Sequence, residues 1–212
     1  MKKIISFSLY GSLPKYNFGM IANVKIAKKI FPDWICRVYY DDSVPISTIV
    51  ELSNHDNVEL VNMESFDKSL FPMIWRFLPV DDEDVSITIS RDADARLSNR
   101  EKFCVDIFEQ SNMLLHSIRD NPSHPDIMGG MWGMKKNNRI KMKDLVSDWK
   151  LFGYDSDQQF LRSKVVPKFV DSYLIHCSYY LNNFPVARDS EYFVGGWWDE
   201  NNFGKPIDFI FF

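Results

Sequence analysis

The most constraining feature of the sequence is a repeated alternation of short apolar runs with amphipathic runs through its first half. Lys3–Leu9 is rich in Ile and Phe and stops at Tyr10-Gly11-Ser12-Leu13-Pro14, where Gly and Pro mark a loop. From Met20 to Phe31 the apolar residues Met20, Ile21, Val24, Ala27, Ile30 and Phe31 recur at helical spacing. Lys25, Lys28 and Lys29 lie between them and Pro32 is the stop, so a helix is expected there. Ile35–Tyr40 (strand), Pro45–Leu52 (helix) and Val58–Val61 (strand) repeat the alternation. In Val85–Ser90, Val85, Ile87 and Ile89 alternate with Ser86, Thr88 and Ser90, the clearest strand of all. Helices between strands supply the long crossovers that parallel pairing requires. The expected fold is therefore α/β, with a central mixed, mostly parallel sheet flanked by helices. No repeat, low-complexity tract or linker divides the 212 residues, so residues 1–212 are expected to form one domain. The apolar ending Ile207–Phe212 suits a domain that is the N-terminal part of a longer protein.

Beyond Ser90 the spacing predicts a short loop over Arg91–Leu97. A helix follows, opened by the capping box Ser98-Asn99-Arg100-Glu101 and carrying the stripe Phe103, Val105, Ile107 and Phe108. Asn121–Pro125 and Gly129–Gly133 are expected to be loops, Met142–Leu151 and Asp157–Val166 helices, and Tyr173–Cys177 a late strand. The acidic run Asp81–Asp84 reads as a solvated turn.

Composition removes several function classes. With 25 Lys+Arg against 29 Asp+Glu the formal net charge is -4, so nothing here attracts a polyanion and nucleic acid is not an expected partner. No apolar run approaches the roughly 18 residues of a membrane span, and Met1-Lys2-Lys3 leads straight into a strand. Membrane insertion is not expected. Cys36, Cys104 and Cys177 form no C-x-x-C pair, so the expectation is a cytoplasmic chain without disulfides. Aromatic residues reach 15%, enough for a dense core or a site that stacks rings.

Asp92-Ala93-Asp94 follows the clearest strand directly. Ligands of open α/β sheets sit outside the carboxyl ends of strands, and carboxylates at i and i+2 of an extended segment share a side. That arrangement suits Mn²⁺ or Mg²⁺, which take one or two protein carboxylates and complete their shells with phosphate oxygens and water. In Asp155-Ser156-Asp157-Gln158, Asp155 can cap a helix, placing Asp157 and Gln158 in its first turn, facing a cleft. His176, at the end of an apolar strand, is a candidate third metal ligand. His124 and Trp132 are candidates to line a sugar site, and Arg76 and Arg91 to contact phosphate. The G-x-G-x-x-G and G-x-x-x-x-G-K-[ST] phosphate fingerprints are absent.

Taken in order, Trp75-Arg76-Phe77, Ser90-Arg91-Asp92-Ala93-Asp94-Ala95-Arg96-Leu97-Ser98, Arg119-Asp120, His124-Pro125, Gly129-Gly130-Met131-Trp132-Gly133, Asp157-Gln158 and His176 resemble the GT-A class of metal-dependent glycosyltransferases, in particular the chlorella-virus domains that build capsid glycans. The resemblance covers the whole chain. It implies a donor site from Leu9, Tyr10, Gly11, Arg76, Arg91 and Asp92, and a Mn²⁺ or Mg²⁺ ion on Asp92, Asp94 and His176. It also implies catalytic roles for Asp157 and Gln158 and an acceptor side formed by His124, Gly130 and Trp132. The implied activity is retaining hexosyl transfer from a UDP-sugar, such as UDP-L-rhamnose or UDP-glucose, to a glycan or glycoprotein acceptor in viral capsid glycosylation within the host cytoplasm. One departure stands out. Related transferases follow the late His with a Lys-Pro-Trp-like phosphate clamp, whereas Cys177-Ser178-Tyr179-Tyr180 follows here. The cation for the leaving diphosphate is thus unassigned. Two other classes share parts of the pattern: a metal-dependent nucleotidyltransferase acting on a sugar phosphate, and a non-catalytic sugar-binding module.

Overall fold

A computed structural model describes residues 1–64, 70–150, 153, 155–188 and 190–206. The elements in chain order are β1 (Lys2–Leu9), α1 (Pro14–Ile30), β2 (Ile35–Tyr40), α2 (Ile46–Ser53), β3 (Val58–Asn62), a 3₁₀ segment (Pro72–Asp81), β4 (Val85–Arg91), α3 (Asn99–Gln110), β5 (Leu115–Arg119), β6 (Met131–Lys135), α4 (Met142–Ser147), α5 (Ser156–Phe160) and β7 (Tyr173–Cys177). They build a seven-stranded mixed sheet in the order β3-β2-β1-β4-β6-β5-β7. β1 runs parallel to β2 and β4, β2 to β3, and β5 to β7, while β6 is antiparallel to β4 and β5. The expected α/β architecture is therefore the observed one. Strand order reverses between β1 and β4, and at such a switch point the connections leave in opposite directions and open a crevice.

Several boundaries differ from expectation for physical reasons. α1 begins at Pro14, whose fixed φ suits the first helical turn, so residues 14–19 are helix rather than loop. Gly129–Gly133 is not a loop throughout: Met131–Lys135 pairs with β4 and β5, setting Trp132 opposite Ser90 and Ser117. β5 had no clear signature. The Met142 helix ends at Ser147, and residues 151 and 152 lie outside the described residues. The helix from residue 157 is α-helical only over Ser156–Phe160, then a π turn at Leu161–Val165 and a 3₁₀ turn at Val166–Lys168. The acidic run is structural, not merely solvated. Asp81 accepts from the Met142 and Lys143 amides at 2.7 and 2.8 Å, Asp82 pairs with Arg37, and Asp84 pairs with Lys2 at 3.1 Å.

The core fills both faces of the sheet. One cluster packs Val24 and Ala27 of α1 and Phe31 just beyond it against Ile5, Phe7 and Val38, and the other gathers Trp75, Phe77, Trp132 and Phe160. Phe77 meets Trp132 edge-on at 5.0 Å and stacks on Phe160 at 5.9 Å. Much of the aromatic content is thus core.

His176 on β7 is buried beside His116 on β5, with Nδ1 and Nε2 2.9 Å apart. The other nitrogen of His116, Nδ1, is buried without a partner. An unpaired lone pair is easier to bury than an unpaired N–H, so His116 donates through Nε2 and His176 accepts. Burial lowers the His176 pKa to about 4 and pushes His116 well below its usual range, with His176 adding to that effect. Both folded pKa values lie below the unfolded value of 6.5. Their stabilisation is accordingly complete above that pH and lost as pH falls through it toward 4. The melting temperature of His176→Phe should fall less than that of the native protein between pH 6.5 and 4; parallel curves would contradict this picture.

Candidate active site

β4 delivers its last residues to the switch point, and the chain then leaves the sheet in a tight turn in which the Ala95 amide bonds to the Asp92 carbonyl at 3.2 Å. α1 fixes that turn. Asn23 Nδ2 donates to the Ala93 and Ala95 carbonyls at 3.2 and 2.8 Å, and Asn23 Oδ1 accepts from Leu97 N–H at 3.1 Å. Gly19 permits the approach, because a Cβ there would run into the Ala93 carbonyl. The side chains of Asp92 and Asp94 consequently open into one cleft of about 650 Å³.

Arg76, from the 3₁₀ segment, organises the floor of this cleft. Its buried guanidinium donates through Nη2 to Asp157 at 2.8 Å and through Nη1 to the Arg91 carbonyl at 3.1 Å and to Asp92. Gly129 and Gly130 press against the two carboxylates: a Cβ on Gly129 would occupy the Asp157 carboxylate, and one on Gly130 that of Asp92. Ser90 Oγ holds this glycine pair by donating to the Gly129 carbonyl at 2.9 Å.

Asp94 has its own cation, Lys15 Nζ at 2.9 Å. Burial opposes the charge on Lys15, yet the Asp94 carboxylate holds its pKa above the ordinary value. Burial raises the Asp157 pKa, with Arg76 working against it, and raises that of Asp94, where Asp92 adds to the rise and Lys15 opposes it. Four carboxylates, Asp92, Asp94, Asp155 and Asp157, face two cations, Arg76 and Lys15, leaving two uncompensated negative charges at the cleft.

The facing wall comes from the C-terminal segment. The Trp198 amide donates to the Asp94 carbonyl at 2.7 Å, Trp197 bridges to Ala95, and the Val194 amide donates to Asp120 Oδ2 at 3.0 Å. These contacts bring Phe193, Gly195 and Trp197 to the cleft, with Trp197 46% exposed. Asp120 anchors the wall from a fully buried position. It also accepts from Arg100 at 2.9 and 3.0 Å, from Arg188 at 2.7 Å and from Ser178.

Of the residues singled out in the sequence, Tyr10, Gly11, Arg76, Asp92, Asp94, His124, Gly130, Asp157 and Gln158 all line this cleft. Four others do not. Leu9 packs in the core; Arg91 is buried in an ion pair with Glu101; Trp132 lies under the sheet against Phe77; His176 bonds to His116. His176 is therefore not brought together with Asp92 and Asp94 as a three-ligand set, and among the described residues no three His, Cys, Asp or Glu gather as a metal site. The capping expectation is corrected. Asp155 takes φ 66°, and its carboxylate accepts from the Gln158 side chain at 3.1 Å, not from a helix amide. The Gln158 amide is instead capped by Asp157 at 2.8 Å. Lys15, Phe193 and Trp197 were not singled out in the sequence, although Gly195-Gly196-Trp197-Trp198 is a visible glycine-aromatic signal, and Asp120 was marked only as part of the resemblance.

No protein-family model matches the sequence, and no curated protein matches it. Solved structures do match the fold. A glycosyltransferase involved in the glycosylation of the major capsid of PBCV-1 superposes with a TM-score of 0.53 and 16% identity, covering 85% of this chain and 84% of that one. The galactosyltransferase LgtC in complex with donor and acceptor sugar analogues gives 0.51 and 14%, covering 84% and 74%. A 4-diphosphocytidyl-2C-methyl-D-erythritol synthase from Anaerococcus prevotii gives 0.52 and 11%, covering 89% and 93%. The fold is thus GT-A-like, of the nucleotide-diphospho-sugar transferase type.

Proposed function

We propose that this chain transfers a hexose from a nucleoside-diphosphate sugar, with UDP as the nucleotide, to a hydroxyl of a glycan or glycoprotein. The observation that carries the reading is the convergence of Asp92, Asp94 and Asp157 on one cleft at the β1/β4 switch point, of a size that suits a ligand of this class. Tyr10 and Gly11 stand on the nucleotide side. His124 and Gly130 stand on the acceptor side, where Trp197 and Phe193 replace Trp132 as the rings available to a sugar.

The carboxylate pair fits a hard divalent cation, because one or two protein carboxylates with phosphate oxygens and water complete the shell of Mn²⁺ or Mg²⁺. Asp92 and Asp94 would hold it, with 40% of the Asp92 side chain exposed toward the cleft. When bound, such an ion supplies positive charge beside the departing diphosphate. In the transfer the bond from the anomeric carbon to the diphosphate oxygen breaks with its electron pair leaving on UDP, the acceptor oxygen bonds to that carbon, and the acceptor hydroxyl proton passes to the departing diphosphate oxygen. Asp157, fixed by Arg76, places negative charge where positive character develops, which suits a retaining reaction. Capsid glycans as acceptor, and UDP-L-rhamnose or UDP-glucose as donor, follow from the sequence resemblance.

Calorimetric titration tests the donor site. UDP should bind in the presence of Mn²⁺ and lose most of its affinity when the metal is chelated. Absence of nucleotide binding, with sugars still bound, would favour a non-catalytic sugar-binding module.

A further inference from the structure

We propose that Lys15 is a mobile counter-ion of the cleft: it neutralises Asp94 before nucleotide arrives, and passes to the diphosphate when a divalent cation takes its place on the carboxylate. The proposal rests on reading the cleft as a nucleotide-diphosphate site.

The two cations of the site are held very differently. Arg76 is 5% exposed and divides its guanidinium among Asp92, Asp157 and a backbone carbonyl, so it is locked in place. Lys15 is 33% exposed, and its ammonium has one carboxylate partner, Asp94 Oδ2. Around it lie aromatic rings: Tyr16 at 4.4 Å and Trp197 at 5.7 Å, both lining the cleft. A flexible four-carbon stem with a point-like ammonium can exchange partners across such surfaces, whereas a forked guanidinium bound at several points cannot.

Charge balance supplies the direction. With Lys15 on Asp94 the four cleft carboxylates exceed the two cations by two negative charges. A divalent cation on Asp92 and Asp94 would cancel that excess, so Lys15 is no longer required at the carboxylate and is available to the negative charge that a diphosphate brings. Arg76 is the one Lys or Arg side chain among the described residues lining the cleft; its Nη1 and Nη2 donors are committed to the cleft floor, and its Nε is buried. Lys15, at the cleft margin, is the cation free to follow the phosphate.

The test compares the native protein with Lys15→Met and Lys15→Gln, titrated with Mn²⁺ alone and then with UDP and UMP at saturating Mn²⁺. Without a competing ammonium, Mn²⁺ alone should bind the variants roughly two- to fivefold more tightly, the scale of a part-exposed ion pair. UDP should bind about tenfold more weakly, the scale of a charge-assisted phosphate contact, while UMP, which lacks the second phosphate, changes little. Unchanged or weaker Mn²⁺ binding in both variants, no Mn²⁺ binding by any of the proteins, or an equal loss for UDP and UMP would each overturn the proposal. If the native protein binds Mn²⁺ but no nucleotide, the proposed function fails together with the diphosphate step, and the Mn²⁺ comparison still decides whether Lys15 is the counter-ion of Asp94.

Discussion

Under the proposed function, Asp157→Asn is expected to lower turnover by about 100-fold or more while leaving Mn²⁺-dependent UDP affinity within about threefold, because it removes the charge assigned to the reacting carbon and one acceptor. Asparagine has the same size, and its carbonyl can still accept from Arg76 Nη2, now 2.8 Å from the carboxylate, at the loss of the second oxygen's bond from the Gln158 amide. Arg76 keeps Asp92 as a charged partner, so the floor of the cleft is not left with an isolated cation. Burial raises the Asp157 pKa against the pull of Arg76, so the cost to stability should be confined to the lost cap on the Gln158 amide, about 0.5–2 kcal/mol by thermal denaturation. A loss of UDP affinity in proportion to activity would move Asp157 to the donor or metal shell. Near-normal turnover would remove it from the chemistry altogether.

Asp120→Ala should produce the largest loss of stability, about 3–5 kcal/mol, because it leaves the Arg100 and Arg188 guanidiniums and the Val194 amide without the buried carboxylate they share. For a chain of this size each kcal/mol shifts the melting temperature by roughly 2–4 °C, so thermal denaturation reads the effect easily. The consequence reaches the cleft through the C-terminal segment carrying Phe193 and Trp197, which Asp120 holds through the Val194 amide and through Arg188. In Asp120→Asn, which keeps the volume and part of the hydrogen bonding, acceptor KM should rise more than UDP affinity falls. A destabilisation of Asp120→Ala below about 1 kcal/mol would mean that these contacts are not the anchor they look to be.

How far the site could be read in the sequence depended on how far its partners lie along the chain. Strands β1 to β4 were legible because their side chains alternate or form apolar runs between turn residues, and Asp92 and Asp94 inherit their place from the end of β4. The capping box at Ser98 was legible for the same local reason, and Ser98 Oγ does accept from the Glu101 amide at 3.2 Å. β5 was not, since His116 and Ser117 are polar residues buried by partners on β7: His176 and Tyr173, the latter donating its hydroxyl to Ser117 at 2.8 Å. The same pairing turned His176 from an apparent ligand into a structural residue. Glycines misled at 129–133. There they serve close approach to Asp157, Asp92 and the β4 strand, a need that resembles loop composition when only sequence is seen. Arg91 looked like a phosphate ligand because Glu101, its buried partner, comes from the first turn of the next helix. Lys15 and Asp94 are 79 residues apart, so no local pattern could join them.

Two chemistries fit a GT-A-like cleft with paired carboxylates, and their products differ. The most direct measurement is product identification in parallel reactions with Mn²⁺: one with UDP-L-rhamnose or UDP-glucose and a glycan acceptor, the other with UTP and a sugar 1-phosphate. Sugar transfer predicts release of UDP in the first reaction, with a glycosylated acceptor, and no pyrophosphate in the second. Pyrophosphate and a new nucleoside-diphosphate sugar from the second reaction, with no UDP from the first, would contradict the account and make the protein a nucleotidyltransferase.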